Sequence, residues 1–254
     1  MKRNILVLAM LTIAFVGGLK AQFVTYVPFQ NGEKGIGLNV GIGGWFGPSD
    51  FIIDNSSSSI YNGYQGTKLK RLPFNPSVAL HYRRVLSGNR VDWGNSLIIG
   101  MSWWSGKVEG EQTANPANTF ETNFKYHRFE LSDQYYIMIP VGDKLSIKAG
   151  IGATLSCNFD PTSTTEFSDG TPSVKSEGGL DFMDRLGCSI DGIVGVEYTL
   201  NESFVASCNL TCYAFDFFGL FDDSATKGYR GVGEGLFVNK KLPYQLTFGI
   251  AYVL

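Results

Sequence analysis

The stretch at residues 35–47, "GIGLNVGIGGWFG", alternates almost without a break. Ile36, Leu38, Val40, Ile42 and Phe46 fall on even positions, and Gly35, Gly37, Asn39, Gly41 and Gly43 on odd ones. A strand points successive side chains to opposite faces, so this segment has one apolar face and one nearly bare face. In a soluble sandwich the apolar face would point inward. In a membrane barrel it would point outward into lipid. The alternation alone does not choose.

The same period recurs along the chain. Around 76–84, Val78, Leu80 and Tyr82 oppose Ser77, Ala79, His81 and Arg83; in 95–104, Leu97, Ile99, Met101 and Trp103 oppose Ser96, Gly100 and Ser102. In 124–139, Phe129, Leu131, Tyr135, Ile137 and Ile139 oppose Arg128, Glu130, Ser132 and Gln134. Asp133 breaks the apolar side there, and a bulge or shifted register is expected at it. Segments 145–159 and 185–200 alternate cleanly, with Lys148, Arg185, Asp191 and Glu197 on the polar side. Segments 203–215 and 245–254 complete a set of eight.

The connections alternate in length. Long links ("DNSSSSIYNGYQG" within the first, "SGKVEGEQTANPANTFETN", "DPTSTTEFSDGTPSVKSEGGL" and a last one from about Phe217 to Tyr244) take turns with short ones, "VLSGNRVDWG", "VGDK" and "NES". A soluble meander has no reason to place every long link at one end, whereas an outer-membrane barrel does. Aromatics gather at the segment ends. Tyr82, Trp93, Tyr135, Tyr136, Tyr198, Phe204 and Tyr252 fall at the short-turn end, and Trp45, Phe46, Trp103, Trp104, Phe124, Phe159, Phe215 and Tyr244 at the other. Two such girdles suit the two interfaces of a bilayer. A Lys on the lipid face at mid-bilayer would cost about 2–4 kcal/mol. His81, Arg83, Arg128, Glu130, Lys148, Arg185, Asp191 and Glu197 are therefore placed in the lumen, as a polar network.

The N-terminus reads "MKRNILVLAMLTIAFVGGLKAQF", a basic start, a short apolar run and small residues, the layout of a secretory signal peptide ending near Ala21. Residues 1–21 are thus assigned to the signal and 22–254 to the barrel. Cleavage would remove Lys2, Arg3 and Lys20 from the 21 Lys+Arg and none of the 23 Asp+Glu, leaving a formal charge of −5. This mild acidity excludes the basic footprint of a nucleic-acid binder. No later stretch approaches the roughly 20 apolar residues of a spanning helix, so a membrane location requires a closed barrel.

The chain ends "TFGIAYVL", with Thr247, Gly249, Tyr252 and Leu254 in the order polar, Gly, aromatic, hydrophobic. This ending resembles the C-terminal assembly signal of bacterial outer-membrane barrels, in which Phe is the more common last residue. Together with the signal peptide and the alternating loops, the whole mature chain resembles the small outer-membrane barrels of the OmpA/OmpX type and the "porin-family" outer-membrane β-barrel domains of Gram-negative bacteria. The resemblance implies an all-β, eight-stranded antiparallel up-and-down transmembrane β-barrel with short periplasmic turns and four long extracellular loops. It also implies outer-membrane lipid and the barrel-assembly machinery as partners.

Chemistry is sparse. Cys157, Cys188, Cys208 and Cys212 fall on the apolar side, and no Cys/His spacing suggests zinc. Cys208 and Cys212, about 13 Å apart along one strand, cannot bond each other, whereas Cys157–Cys188 or Cys188–Cys212 could meet across strands. His127 with Ser102 or Ser105 is the nearest imitation of the His and Ser of lipid-modifying barrel enzymes. No cofactor motif is present. The expectation is a non-enzymatic outer-membrane protein whose loops serve interaction or envelope integrity. Tyr61, Tyr64, Phe120 and Tyr229 are candidates for contact with an extracellular or host ligand. A small pore or lipid-modifying enzyme, and a secreted lipocalin-like binder, remain as alternatives. Residues 23–29 could add a strand, against which Pro28 speaks.

Overall fold

The computed structural model describes residues 32–45, 50–53, 56–69, 75–88, 91–177, 186–216, 231–233, 236–238 and 243–254. The signal segment, residues 23–29, Phe46, Arg185 and Tyr229 lie outside the described residues. Every regular element among those described is a strand: β1 (Glu33–Trp45), β2 (Asp50–Ile53), β3 (Tyr64–Leu69), β4 (Asn75–Leu86), β5 (Asp92–Gln112), β6 (Thr119–Pro140), β7 (Leu145–Phe167), β8 (Val174–Glu177), β9 (Leu186–Asn201), β10 (Phe204–Asp216), β11 (Gly231–Gly233), β12 (Leu236–Val238) and β13 (Pro243–Val253). None is a helix long and apolar enough to cross a membrane.

All pairings are antiparallel, and they close. Starting from β1, the ring runs through β4, β5, β6, β7, β9, β10 and β13 and back to β1. A closed sheet has no edge, so every ladder amide finds a partner. The turns at one end are tight: Val141 N donates to Leu145 O at 2.9 Å, and Ser203 N to the Asn201 side chain at 2.9 Å.

The ring is inside out by the standards of a soluble protein. Leu80, Ile151 and Ile250 are 62, 66 and 55 % exposed on its outer surface, whereas Arg128, Asp191 and Lys148 are 1, 1 and 3 % exposed within it. The apolar side chains form an outer belt that takes in Ile36, Leu38, Val40, Leu97, Ile99, Ile147, Val194, Val196 and Phe248. An apolar surface of that extent is not stable in water.

The chain carries more strand than the eight segments expected. β5, β6 and β7 run to 21, 22 and 23 residues, about twice the 9–11 needed to span a bilayer. The link 105–123 is mostly strand, leaving only residues 113–118 as its turn. Beyond the ring, β3 pairs with β5, β2 with β3, β12 with β2, β11 with β12, and β8 with β7.

In this extension the polarity reverses. In the register row Trp103–His127–Phe159, Trp103 and Phe159 are the last outward aromatics of the belt. Past it the outward positions carry Ser105, Lys107, Glu109, Lys125 and Glu166, while Val108, Phe120, Phe124 and Tyr126 turn inward. Ordinary water-soluble patterning takes over at one level on neighbouring strands. The apolar period then changes face, which hides these strands from a search for one continuing pattern.

The bulge expected at Asp133 is absent. Pairing runs unbroken from Asp133–Leu97 on one side to Asp133–Ala153 on the other, and the irregularity sits instead between Lys125 and His127, opposite Phe159–Thr162. There Asp160 takes φ 49°, just before Pro161. Asp133 keeps its register because Asn95 Nδ2 and the Tyr135 hydroxyl donate to its carboxylate, at 2.8 and 3.3 Å.

Candidate functional site

Small and large residues face each other across the narrow lumen. A Cβ on Gly37 would come within 2.4 Å of the His81 ring, and one on Gly94 within 1.9 Å of the Tyr136 ring. The bare face of the opening strand thus accommodates side chains from its neighbours.

Of the polar residues assigned to the lumen, His81, Arg83, Arg128, Glu130, Lys148, Asp191 and Glu197 are all buried in it. They form layers rather than one network. Near the short-turn end, Arg83 pairs with Glu197 and Glu33 at 3.0 Å each, and Lys148 lies 3.7 Å from Glu197. Lys148 Nζ also sits 4.3 Å from the centroid of the Tyr136 ring, whose hydroxyl lies 2.9 Å from Ser96 Oγ. In the middle, Asp191 accepts hydrogen bonds from the Thr154 and Ser189 hydroxyls. Glu130 Oε2 accepts one from Tyr213 at 3.3 Å. A cavity of about 30 Å³ lies here, lined by Asn39, Ser77, Glu130, Ser132, Asn209 and Thr247, space for roughly one or two waters. Toward the extension, the Arg128 guanidinium lies over Trp104 and Tyr126, 4.8 and 5.4 Å from the ring centroids, and its Nε donates to Asn158 at 2.9 Å. Trp104 Nε1 donates to Ser102 at 2.8 Å.

Trp104, Phe124 and Tyr136 therefore belong to the interior, not to the girdles. Trp93, Tyr135, Tyr198, Phe204 and Tyr252 are exposed near the short-turn end, and Trp103 and Phe159 at the other.

Three of the loop residues expected to meet a ligand are not on the surface. Tyr61, Tyr64 and Phe120 are buried in one cluster with Ile53, Trp104, Val108, Phe124 and Tyr126. Tyr61 and Tyr64 pack on Phe120 with ring centroids 4.9 and 5.3 Å apart. The reason is the reversal of polarity: beyond the outer apolar belt an aromatic gains by turning inward, away from water. At the outer tip, the Tyr64 hydroxyl donates to Asp169 Oδ2 at 3.3 Å, and Thr171 N to Asp169 Oδ1 at 2.9 Å. Hydrogen bonds from Thr171 hold the Asp169 carboxyl below its usual range, and burial, then the nearby carboxylate, pushes Tyr64 up.

The His127–Ser102 pairing comes apart: His127 points outward, with Nδ1 3.9 Å from Asp160, while Ser102 is buried in the lumen. Ser105 shares the outward face with His127, two positions along β5 from Trp103, the residue paired with His127. Among the described residues, no group of three or more His, Cys, Asp or Glu could hold a metal, and none of the cysteines is in a disulfide. Cys157 pairs with Leu186, Cys188 with Leu155, Cys208 with Val196 and Phe248, and Cys212 with Gly192 and Tyr244, so no two face each other. Cys188 is buried rather than fully outward.

No family model and no curated protein matches the chain. Among solved structures it is similar to Ail, the attachment invasion locus protein of Yersinia pestis, crystallised with the heparin analogue sucrose octasulfate. The TM-score is 0.38 and the identity 13 %, over 88 % of this chain and 99 % of that one. Neisserial surface protein A matches at TM-score 0.38 and 11 % identity, over 86 % and 96 % of the two chains. The translocator domain of the autotransporter NalP from Neisseria meningitidis matches at TM-score 0.29 and 11 % identity, over 96 % and 97 %.

Proposed function

We propose that the chain is an integral outer-membrane protein that spans the bilayer as an eight-stranded up-and-down β-barrel, with tight turns in the periplasm and its strand extension outside the cell. The observation that carries this reading is the inverted ring, with an apolar belt outside, interrupted at Asp133, and paired charges within. The belt has the right height. Trp93 and Trp103 are both exposed on β5, ten residues apart, which at strand rise and a tilt near 40° is about 25 Å, the apolar band of such barrels.

Its role is non-enzymatic: a sealed barrel holds up an ordered platform of strands. The surface offered to an extracellular or host ligand is the polar outer face of β5–β7, with Lys107, Lys125 and Glu166, and the turns at 113–118 and 168–173. The terminal strand, through Thr247, Gly249, Tyr252 and Leu254, would engage the assembly machinery. Heat-modifiable migration in detergent and fractionation with the outer membrane test the reading. Extraction into detergent-free buffer would overturn it.

A further inference from the structure

We propose that the cavity in the middle of the lumen is a binding site for one alkali cation, held by the Glu130 carboxylate together with Asn39, Ser132 and Asn209. The site belongs to the closed ring and does not depend on the role proposed above.

The four residues come from β1, β6 and β10, and all of them line the cavity. Asn39, Glu130, Ser132 and Asn209 are 5, 7, 6 and 8 % exposed. Each carries a side-chain oxygen without a hydrogen-bond partner: Asn39 Oδ1, Glu130 Oε1, Ser132 Oγ and Asn209 Oδ1. Two glycines make room for the amides. A Cβ on Gly249 would strike Asn39 Oδ1, and one on Gly195 would strike Asn209 Oδ1. A buried acceptor left unmet is costly, and four such oxygens on the wall of one cavity mark a place where a ligand sits.

The charge of the site decides what that ligand is. Among the described residues Glu130 is the one charged side chain in the lining, which includes no Lys, Arg or His. Its Oε2 accepts from Tyr213, and the Gln245 amide lies beside the same carboxylate. Asp191 is near enough for the two carboxylates to repel one another. The cation that acts on Glu130 is Arg128, two residues along β6, and its guanidinium is turned onto Trp104 and Tyr126 with Nε donating to Asn158. Two carboxylates thus share one guanidinium. Water in the cavity would meet the acceptors and leave that excess charge in place, whereas a cation offsets it. Carboxylate, amide and hydroxyl oxygens are hard donors, suited to alkali and alkaline-earth ions rather than to transition metals. One surplus negative charge matches a monovalent ion, and about 30 Å³ holds it with one water.

The test uses the full chain refolded into detergent micelles in sodium chloride, potassium chloride or choline chloride at equal ionic strength, choline being too large for the cavity. At saturating Na⁺ or K⁺ the thermal midpoint should lie about 3–6 °C above that in choline chloride. Glu130→Gln, which keeps the shape and removes the charge, should abolish the difference. Glu33→Gln, which removes a carboxylate outside the cavity, should leave it whole. Equal midpoints in the three salts, as water alone in the cavity would give, overturn the proposal. So does a difference that survives Glu130→Gln, or one that Glu33→Gln removes as fully. If Glu130→Gln does not fold, crystals of the wild-type protein grown in thallium(I) acetate decide: an anomalous peak in the cavity is expected, and its absence overturns the proposal.

Discussion

The Tyr61 hydroxyl lies 3.0 Å from Thr122 Oγ1, deep inside the strand extension. It also lies 3.2 Å from Thr165 Oγ1, and the two threonines are 2.9 Å apart. This triangle of hydroxyls ties the turn between β2 and β3 to β6 and β7. It makes the extension a folded body with its own core, stabilised by the same burial as any soluble domain. Tyr61→Phe should weaken it by about 1 kcal/mol, and Tyr61→Ala by about 3–5 kcal/mol. Limited proteolysis outside the membrane should detect both, with heat-modifiable migration of the barrel unchanged. Loss of the barrel itself in Tyr61→Phe would contradict the two-body description.

The lower ion cluster should behave asymmetrically. Glu197 is buried between Arg83 and Lys148, whereas Glu33, on the other side of Arg83, is 46 % exposed. Glu197→Gln leaves two cations in the lumen without their shared carboxylate and should cost about 3–5 kcal/mol. Glu33→Gln should cost less than about 1 kcal/mol. Thermal unfolding in detergent micelles measures the difference, and equal losses would remove the central role given to Glu197.

Gly94 should tolerate no side chain while Tyr136 remains. Gly94→Ala drives a methyl into the Tyr136 ring and should cost about 1–3 kcal/mol. Adding Tyr136→Leu to Gly94→Ala should recover part of that loss, since it removes the colliding ring. A double-mutant cycle in the same unfolding assay gives the coupling; strict additivity would show that the two residues do not share space.

The lumen should not conduct. Arg128 with Trp104, and Lys148 and Tyr136 beside the Arg83–Glu197 pair, place large side chains in it at two levels, with a small cavity between. In planar bilayers the wild-type protein should give no stable conductance steps. A variant combining Trp104→Ala and Arg128→Ala with Lys148→Ala and Tyr136→Ala should open both levels and give them. Steps from the wild type would mean that these side chains move aside.

Much of the ring was legible because its apolar outer belt and its polar lumen impose opposite demands on alternate residues. Lys148 and Asp191 stand in clean alternating runs, and both are buried within the ring. Trp104, Phe124 and Tyr136 were assigned to the girdles from their closeness to strand ends, and height says nothing about face. Asp133 looked like a register fault because an acidic residue breaks an apolar period. The pairing shows it fully in register, held by Asn95 and Tyr135 across and along the strands. The alternation of 105–123 does not continue the period of the belt, because its apolar members change sides.

Alternation along the chain determined that there are two faces, which residues share each, and that charges gather on one of them. Those are local consequences of the two-residue period of a strand. Which face is inside required the closure of β1 onto both β4 and β13, because an open sheet of the same sequence has no inside. The fate of Tyr61, Tyr64 and Phe120 also depended on that closure and on the length of β5–β7: β6 carries Phe120 past the belt, and Tyr64 of β3 and Tyr61 of the turn before it pack on Phe120 there. Beyond Trp103, His127 and Phe159 burial means turning inward, and only the assembled strands set where that level falls.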